Sequence, residues 1–186
     1  MELIQVKKLS QWKQIYKLYR SAFPKYERKP FYLIWLKHKK GCADVWTIGS
    51  GNEFAGLAIT MNSGDMVLLD YFAVCEEKRG NGLGGRALRE LQDHYKGKRF
   101  FLEIESVYDK AENISERKRR KSFYLSNGMT EMKVMANVFG TAMELLGHGC
   151  EVSFSDYRSV YCNVYGEWAA KNLAELTYPS ADENDG

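Results

Sequence analysis

The densest chemical signal in the chain is the run Cys75-Glu76-Glu77-Lys78-Arg79-Gly80-Asn81-Gly82-Leu83-Gly84-Gly85-Arg86. Four glycines within six residues, Gly80, Gly82, Gly84 and Gly85, leave the main chain bare enough to approach a ligand closely. Placed between a strand-like and a helix-like segment, they turn amide N–H groups outward at a helix N-terminus, where an anion is held. A P-loop is excluded, because Arg86 and Ala87 stand where Lys and Ser/Thr would be required. The dinucleotide fingerprint also fits poorly: no acidic residue ends a following parallel strand at the usual distance, and three strand-like segments already precede the loop. A tight turn with a glycine-rich cap is the plainer alternative, and loop chemistry alone leaves it open.

Carboxylates form the second group. Glu103 and Glu105 are two apart in a strand-like run and so share a face, while Phe100, Leu102 and Ile104 take the other and read as core. Asp70 sits in the strand before the glycine loop. A buried carboxylate is costly unless paired, and the basic run Glu116-Arg117-Lys118-Arg119-Arg120-Lys121 offers Glu103 and Glu105 partners. That run has three readings: a solvated helix face, a clamp on ligand phosphates, or a nucleic-acid patch. The last is the weakest, since no aromatics are interleaved. Cys42, Cys75, Cys150 and Cys162 form no C-x-x-C pair, the usage of a reducing, cytoplasmic compartment. No histidine lies near Cys75, so an acyl-cysteine intermediate is not expected, and His38, His94 and His148 are too isolated to imply a metal site.

The elements that must position these groups follow from periodicity. With 186 residues, 45% hydrophobic and 27% charged, the chain fits one domain with a sizeable core, and its net charge of +3 is too mild to argue for nucleic acid. No apolar run approaches the ~18 residues that span a bilayer. Ser10 is a candidate cap for a helix with Trp12, Ile15, Tyr16, Tyr19 and Phe23 at three- and four-residue steps. A charged loop, Lys25 to Lys29, leads to a second helix beginning at Pro30 and ending at Gly41. Three strands follow, near Val45 to Ile48, Phe54 to Thr60 and Met66 to Val74, with turns at Gly49-Ser50-Gly51-Asn52 and Asn62-Ser63-Gly64-Asp65. After the glycine loop comes a helix with Leu83, Ala87, Leu88 and Leu91 on one face, then a strand from Arg99 to Glu105. A helix from Ser115 to Leu125 stops at Asn127-Gly128; strands run near Met132 to Phe139 and Ala142 to Leu146. A last helix is capped by Ser153 with Asp156 and carries Tyr157, Val160, Tyr161, Val164 and Trp168. Residues 176–186 read as an acidic, disordered tail behind a single domain of residues 1–175.

Two motifs carry a family resemblance. Arg79-Gly80-Asn81-Gly82-Leu83-Gly84 resembles the R/Q-x-x-G-x-G/A signature of the GNAT N-acetyltransferase superfamily, preceded by Tyr71-Phe72-Ala73-Val74 as in that family's fourth strand. Phe123-Tyr124-Leu125-Ser126-Asn127-Gly128-Met129 is similar to its F-Y-x-x-x-G-F block. The resemblance implies an α/β fold with a mixed, mostly antiparallel sheet flanked by helices. It implies acetyl-CoA as acyl donor: Phe72, Ala73 and Val74, at a bulge in the fourth strand, pairing with the pantetheine, and the amides of Gly80 to Gly85 taking the pyrophosphate. A backbone N–H near Val74 would polarise the thioester carbonyl. Tyr124 matches the family's general acid. Where many members carry an Asn seven residues before that tyrosine, this chain has Arg117, with Asn113 four residues earlier.

Acetyl transfer to an amine needs a base for the ammonium proton, and the order of preference is Glu103, then Asp70, then Glu105. The expected reaction is transfer from acetyl-CoA to a primary amine of a small cationic molecule by direct attack in a ternary complex. Neither a membrane nor a nucleic acid is expected as partner. The alternatives are a peptide or protein N-acetyltransferase, and a non-catalytic acyl-CoA sensor or nucleic-acid module on the same fold.

Overall fold

A computed structural model describes residues 1–50 and 53–179; the tip of the turn at Gly51-Asn52 and the acidic end of the tail, 180–186, lie outside the described residues. The class is mixed α/β, with antiparallel ladders flanked by helices. Two compact units, Met1–Lys98 and Arg99–Gly186, make up the chain. Among the described residues no helix is long and apolar enough to cross a membrane.

In the first unit, β1 (Glu2–Gln5), β2 (Ala43–Ser50), β3 (Glu53–Ser63) and β4 (Met66–Val74) pair antiparallel in sequence order. Helices α1 (Leu9–Ala22) and α2 (Phe31–Lys39) and helix α3 (Leu83–His94) complete it. Alternation along β4 separates the helices. Phe72 and Val74 pack with Leu83 and Ala87 of α3, whereas the Tyr71 ring meets Tyr19 and Phe23 at 4.8 and 4.9 Å on the other face. Helix α1 begins one residue before Ser10: its N-cap is Lys8, whose amide donates to the Gln11 carboxamide at 2.9 Å, so Gln11 rather than Ser10 satisfies the helix entrance.

The far end of α3 is anchored by a buried hydroxyl. Tyr95 O–H donates to Asp44 at 2.8 Å, lies 2.7 Å from Thr60 Oγ1, and accepts from the Trp46 indole at 3.2 Å. Asp44 also accepts from Gln5 and Asn62. This network ties the helix that carries the glycine loop to three strands.

In the second unit, β5 (Arg99–Glu105), β7 (Thr141–His148), β6 (Thr130–Val138) and β8 (Leu173–Leu176) pair antiparallel in that spatial order. Helix α4 (Ile114–Ser126) lies on the face of Ile104 and its cross-strand partner Glu144, to which Lys121 is bonded. The opposite face, with Phe101 and Glu103, is covered by α5 (Phe154–Tyr165), whose Ser153–Asp156 capping box forms as expected. The expected last helix ends earlier: Gly166, at φ +91°, breaks it, and the exposed Trp168 belongs to a separate short helix α6 (Glu167–Lys171).

Replacing Tyr95 with Phe keeps the ring and removes the shared hydroxyl, leaving the Trp46 N–H without that acceptor and Asp44 without one of its donors. Urea unfolding of Tyr95→Phe is expected to show a loss of about 1–3 kcal/mol; an unchanged midpoint would mean that the network does not hold α3.

Candidate functional site

After β4 a single 3₁₀ turn, Glu76–Lys78, leads into the glycine loop. Gly80 and Gly82 adopt φ of +85° and +66°, conformations costly for a residue with a Cβ, and Gly82 is the N-cap of α3. The first intrahelical bond of α3 is donated by the Arg86 amide to Gly82. Ahead of it, the amides of residues 80–85 meet no acceptor among the described residues. Amide donors without an acceptor at the positive end of a 12-residue helix are an arrangement suited to an anion. Arg86, one turn into α3, brings its guanidinium back beside Gly82. Arg79 turns the other way, its Nε–H donating to the Val74 carbonyl at 3.1 Å.

Along β4, Phe72, Ala73 and Val74 pair with Ala58, Leu57 and Gly56. Gly56 permits this close ladder, since a Cβ there would lie 2.5 Å from the Ala73 carbonyl oxygen. The bulge is not at Phe72–Val74. Tyr71 faces Ile59 and Leu69 faces Thr60, so the extra residue is Asp70. Its side chain is 1% exposed and meets Lys29 Nζ at 2.5 Å. The Cys75 amide is bonded to Ala55, and burial, with Glu77 nearby, pushes the Cys75 thiol up, away from thiolate chemistry.

In the second unit the two glutamates on one face of β5 have different company. Glu103 accepts from the hydroxyls of Tyr157 and Tyr161, the latter at 2.8 Å. Glu105 is paired with Arg117 at 2.9 Å and Arg120 at 3.4 Å. Lys121 is buried against Glu144 at 2.6 Å and Glu131 at 3.2 Å. Arg117, Arg120 and Lys121 thus tie α4 to the strands, while Glu116, Lys118, Arg119 and Arg120 are exposed. Asn113 is the N-cap of α4, its side chain accepting from Arg117 at 2.9 Å. Tyr124, one turn beyond Lys121, is buried, its hydroxyl meets no partner among the described residues, and burial raises its pKa to about 12.

A family profile described as "Acetyltransferase (GNAT) family" matches residues 12–117, more than half of the chain. The chain belongs to the GNAT acetyltransferase family. No curated protein sequence matches it. Among solved structures it is similar to a protein assigned to the GNAT family from Bacteroides thetaiotaomicron, at 20% identity and a TM-score of 0.75, over 89% of this chain and 99% of the other. It is similar to a spermidine N-acetyltransferase chimera from Vibrio cholerae and hSSAT, at 13% identity and a TM-score of 0.63, over 80% and 96%. An aminoglycoside 6′-N-acetyltransferase complexed with coenzyme A gives 13% and 0.65, over 79% and 96%. At these identities the likeness is one of fold. Acetyl-CoA as acyl donor fits the family.

Within this GNAT chain the glycine loop presents amides that meet no acceptor among the described residues. Arg86 adds a charge whose significance is not evident from the motif, though its place four residues after the capping glycine is the available signal. Among the carboxylates, Glu105 is paired with two arginines and Asp70 with a lysine, and Glu103 accepts from the hydroxyls of Tyr157 and Tyr161.

A tyrosine raised above the ordinary value near 10 stabilises the fold in its neutral form. That contribution is complete below pH 10 and lost as the pH rises through about 12. Ultraviolet titration of the wild type minus Tyr124→Phe is expected to show one phenol ionising near pH 12; a difference midpoint at 10 would mean that Tyr124 is solvated.

Proposed function

We propose that this chain is an N-acetyltransferase that moves the acetyl group of acetyl-CoA to a primary amine of a small cationic molecule by direct attack. The observation that carries the reading is the row of amide donors at residues 80–85, without acceptors among the described residues, in a chain of the GNAT family. These amides, with Arg86, take the pyrophosphate of the cofactor. Phe72, Ala73 and Val74 supply main chain for the pantetheine.

The amine must be neutral to attack, and Glu103 takes its proton. As the tetrahedral intermediate collapses, the C–S bond breaks and the thiolate leaves with its electron pair. Tyr124 is the donor to that sulfur. Because its pKa is raised to about 12, it holds its proton throughout the neutral range. It is a hydrogen-bond donor to developing negative charge more than a strong acid. For the acceptor, the likeness to spermidine and aminoglycoside acetyltransferases supports a small cation.

Two measurements test the reading. Gly82→Val forces a β-branched residue into the left-handed region and is expected to weaken CoA binding at least tenfold, about 1.4 kcal/mol, by calorimetry. Gly82→Asn, which tolerates that conformation, is expected to retain most of the affinity. Equal affinities in folded variants would remove the loop from the cofactor site. Tyr124→Phe is expected to lower kcat about 10²-fold with the Kd for acetyl-CoA nearly unchanged; normal turnover would make the hydroxyl structural.

A further inference from the structure

The net charge of +3 conceals a segregation along the chain. Residues 7–40 hold eleven lysines and arginines and a single carboxylate, Glu27, a net +10, so the other residues together carry −7. Lys29 is paired with Asp70, whereas Lys7, Lys8, Lys13, Lys17, Lys39 and Lys40 are exposed and meet no carboxylate among the described residues. Helix α2 is a second anomaly. Its first six residues, Phe31-Tyr32-Leu33-Ile34-Trp35-Leu36, are all apolar or aromatic, the composition of a helix covered on every side, yet only Ile34 is buried. Tyr32 and Trp35 are 64% and 43% exposed, and Leu36 is exposed with them, so steps of three and four residues put all three on one open face. Leu9, 72% exposed at the start of α1, shares a cleft with Trp12, Trp35 and Lys39. The Trp12 ring meets that of His38 edge-on at 5.4 Å, and the Lys39 ammonium lies 5.8 Å from the centre of the Trp35 ring. Apolar and cationic side chains therefore alternate over one continuous strip of the two helices.

We propose that this strip is a membrane-surface site that lays α1 and α2 on a phospholipid bilayer rich in anionic headgroups. Lysines reach the phosphates on flexible apolar stems while tryptophan and tyrosine rings settle at headgroup level, the division that interfacial helices show. At nine residues α2 is too short to cross a bilayer and lies in its plane. Other occupants suit the strip less well. A second copy of the chain would set one +10 face against another. Nine of the eleven cations are lysines, a residue depleted at protein–protein interfaces. A single-stranded nucleic acid takes aromatic planes on which its bases stack, and the exposed Leu9 and Leu36 offer none. The inference stands apart from the acetyltransferase reading, and its test needs no turnover.

Co-sedimentation of the full chain with vesicles of phosphatidylcholine alone, and of phosphatidylcholine with about a quarter phosphatidylglycerol, reads the affinity. The anionic vesicles are expected to bind at least tenfold more tightly than the neutral ones, and to lose at least tenfold between about 50 and about 500 mM salt. Lys7→Glu/Lys39→Glu/Lys40→Glu is expected to abolish binding, and Leu9→Gln/Trp35→Gln to weaken it at least tenfold. Lys110→Glu/Lys118→Glu/Arg119→Glu changes the net charge by the same amount at exposed residues of the second unit, and is expected to bind like the wild type. Tryptophan emission is expected to shift to the blue on anionic vesicles, a shift kept in Trp168→Phe and largely lost in Trp35→Phe. Equal binding to neutral and anionic vesicles, or an equal loss in the two triple charge variants, overturns the site. Binding to a poly-uridine strand but to neither vesicle, or a dimer in sedimentation that Leu9→Gln/Trp35→Gln dissolves, overturns it in favour of a nucleic acid or a second copy.

Discussion

A helix N-terminus whose amide donors find no acceptor in the protein is the constraint on which the rest depends. The amides of residues 80–85 have none among the described residues, and leaving such donors unmet costs free energy unless water or a ligand accepts them. The loop tolerates this because glycine at two left-handed positions makes the turn without strain. The helix behind it is fixed at its other end by the Tyr95 hydroxyl and along its length by Leu83, Ala87, Leu88 and Leu91, all buried. The donors are thus preorganised, and an anion entering the cradle orders little that is not already ordered.

In the second unit, electrostatic pairing serves positioning. Helix α4 carries Tyr124 and is tied down by Arg117 and Arg120 on Glu105 and by Lys121 on Glu144 and Glu131. Burial works against the charge on Lys121, but the bonds to Glu144 and Glu131 outweigh it and raise its pKa. Tyr178 extends the network, its hydroxyl donating to Glu131 and lying 3.1 Å from that of Tyr108. Ion pairs of this depth add little net stability compared with apolar packing, but they fix one arrangement of the charged groups. For a helix proposed to present the Tyr124 hydroxyl to the reaction, a single arrangement is what counts.

Local signals were legible and distant partners were not. Strands β2, β3 and β4, the α3 face, the glycine loop and the Ser153 cap all follow from spacing within a dozen residues. The edge strands β1 and β8 escape because four residues each, with no strong alternation, carry no period. The break at Gly166 is masked by apolar residues that continue in helical phase past it. Glu103 and Glu105 are recognisable as a pair on one face, yet their fates diverge. Arg117 lies 12 residues from Glu105, while Tyr157 and Tyr161 lie 54 and 58 residues from Glu103. The placement of the bulge at Asp70 depends on pairing with β3, which motif resemblance to the Phe72–Val74 segment does not convey.

The central claim is that the amides of residues 80–85 receive the cofactor's phosphates. Backbone amide shifts recorded during titration with coenzyme A, and separately with inorganic pyrophosphate, test it directly. The amides of Gly80 to Gly85 are expected to move most, in the downfield sense of a new hydrogen bond, and pyrophosphate is expected to move the same subset and compete with coenzyme A. Coenzyme A binding that leaves these six amides in place while shifting residues elsewhere would contradict the account.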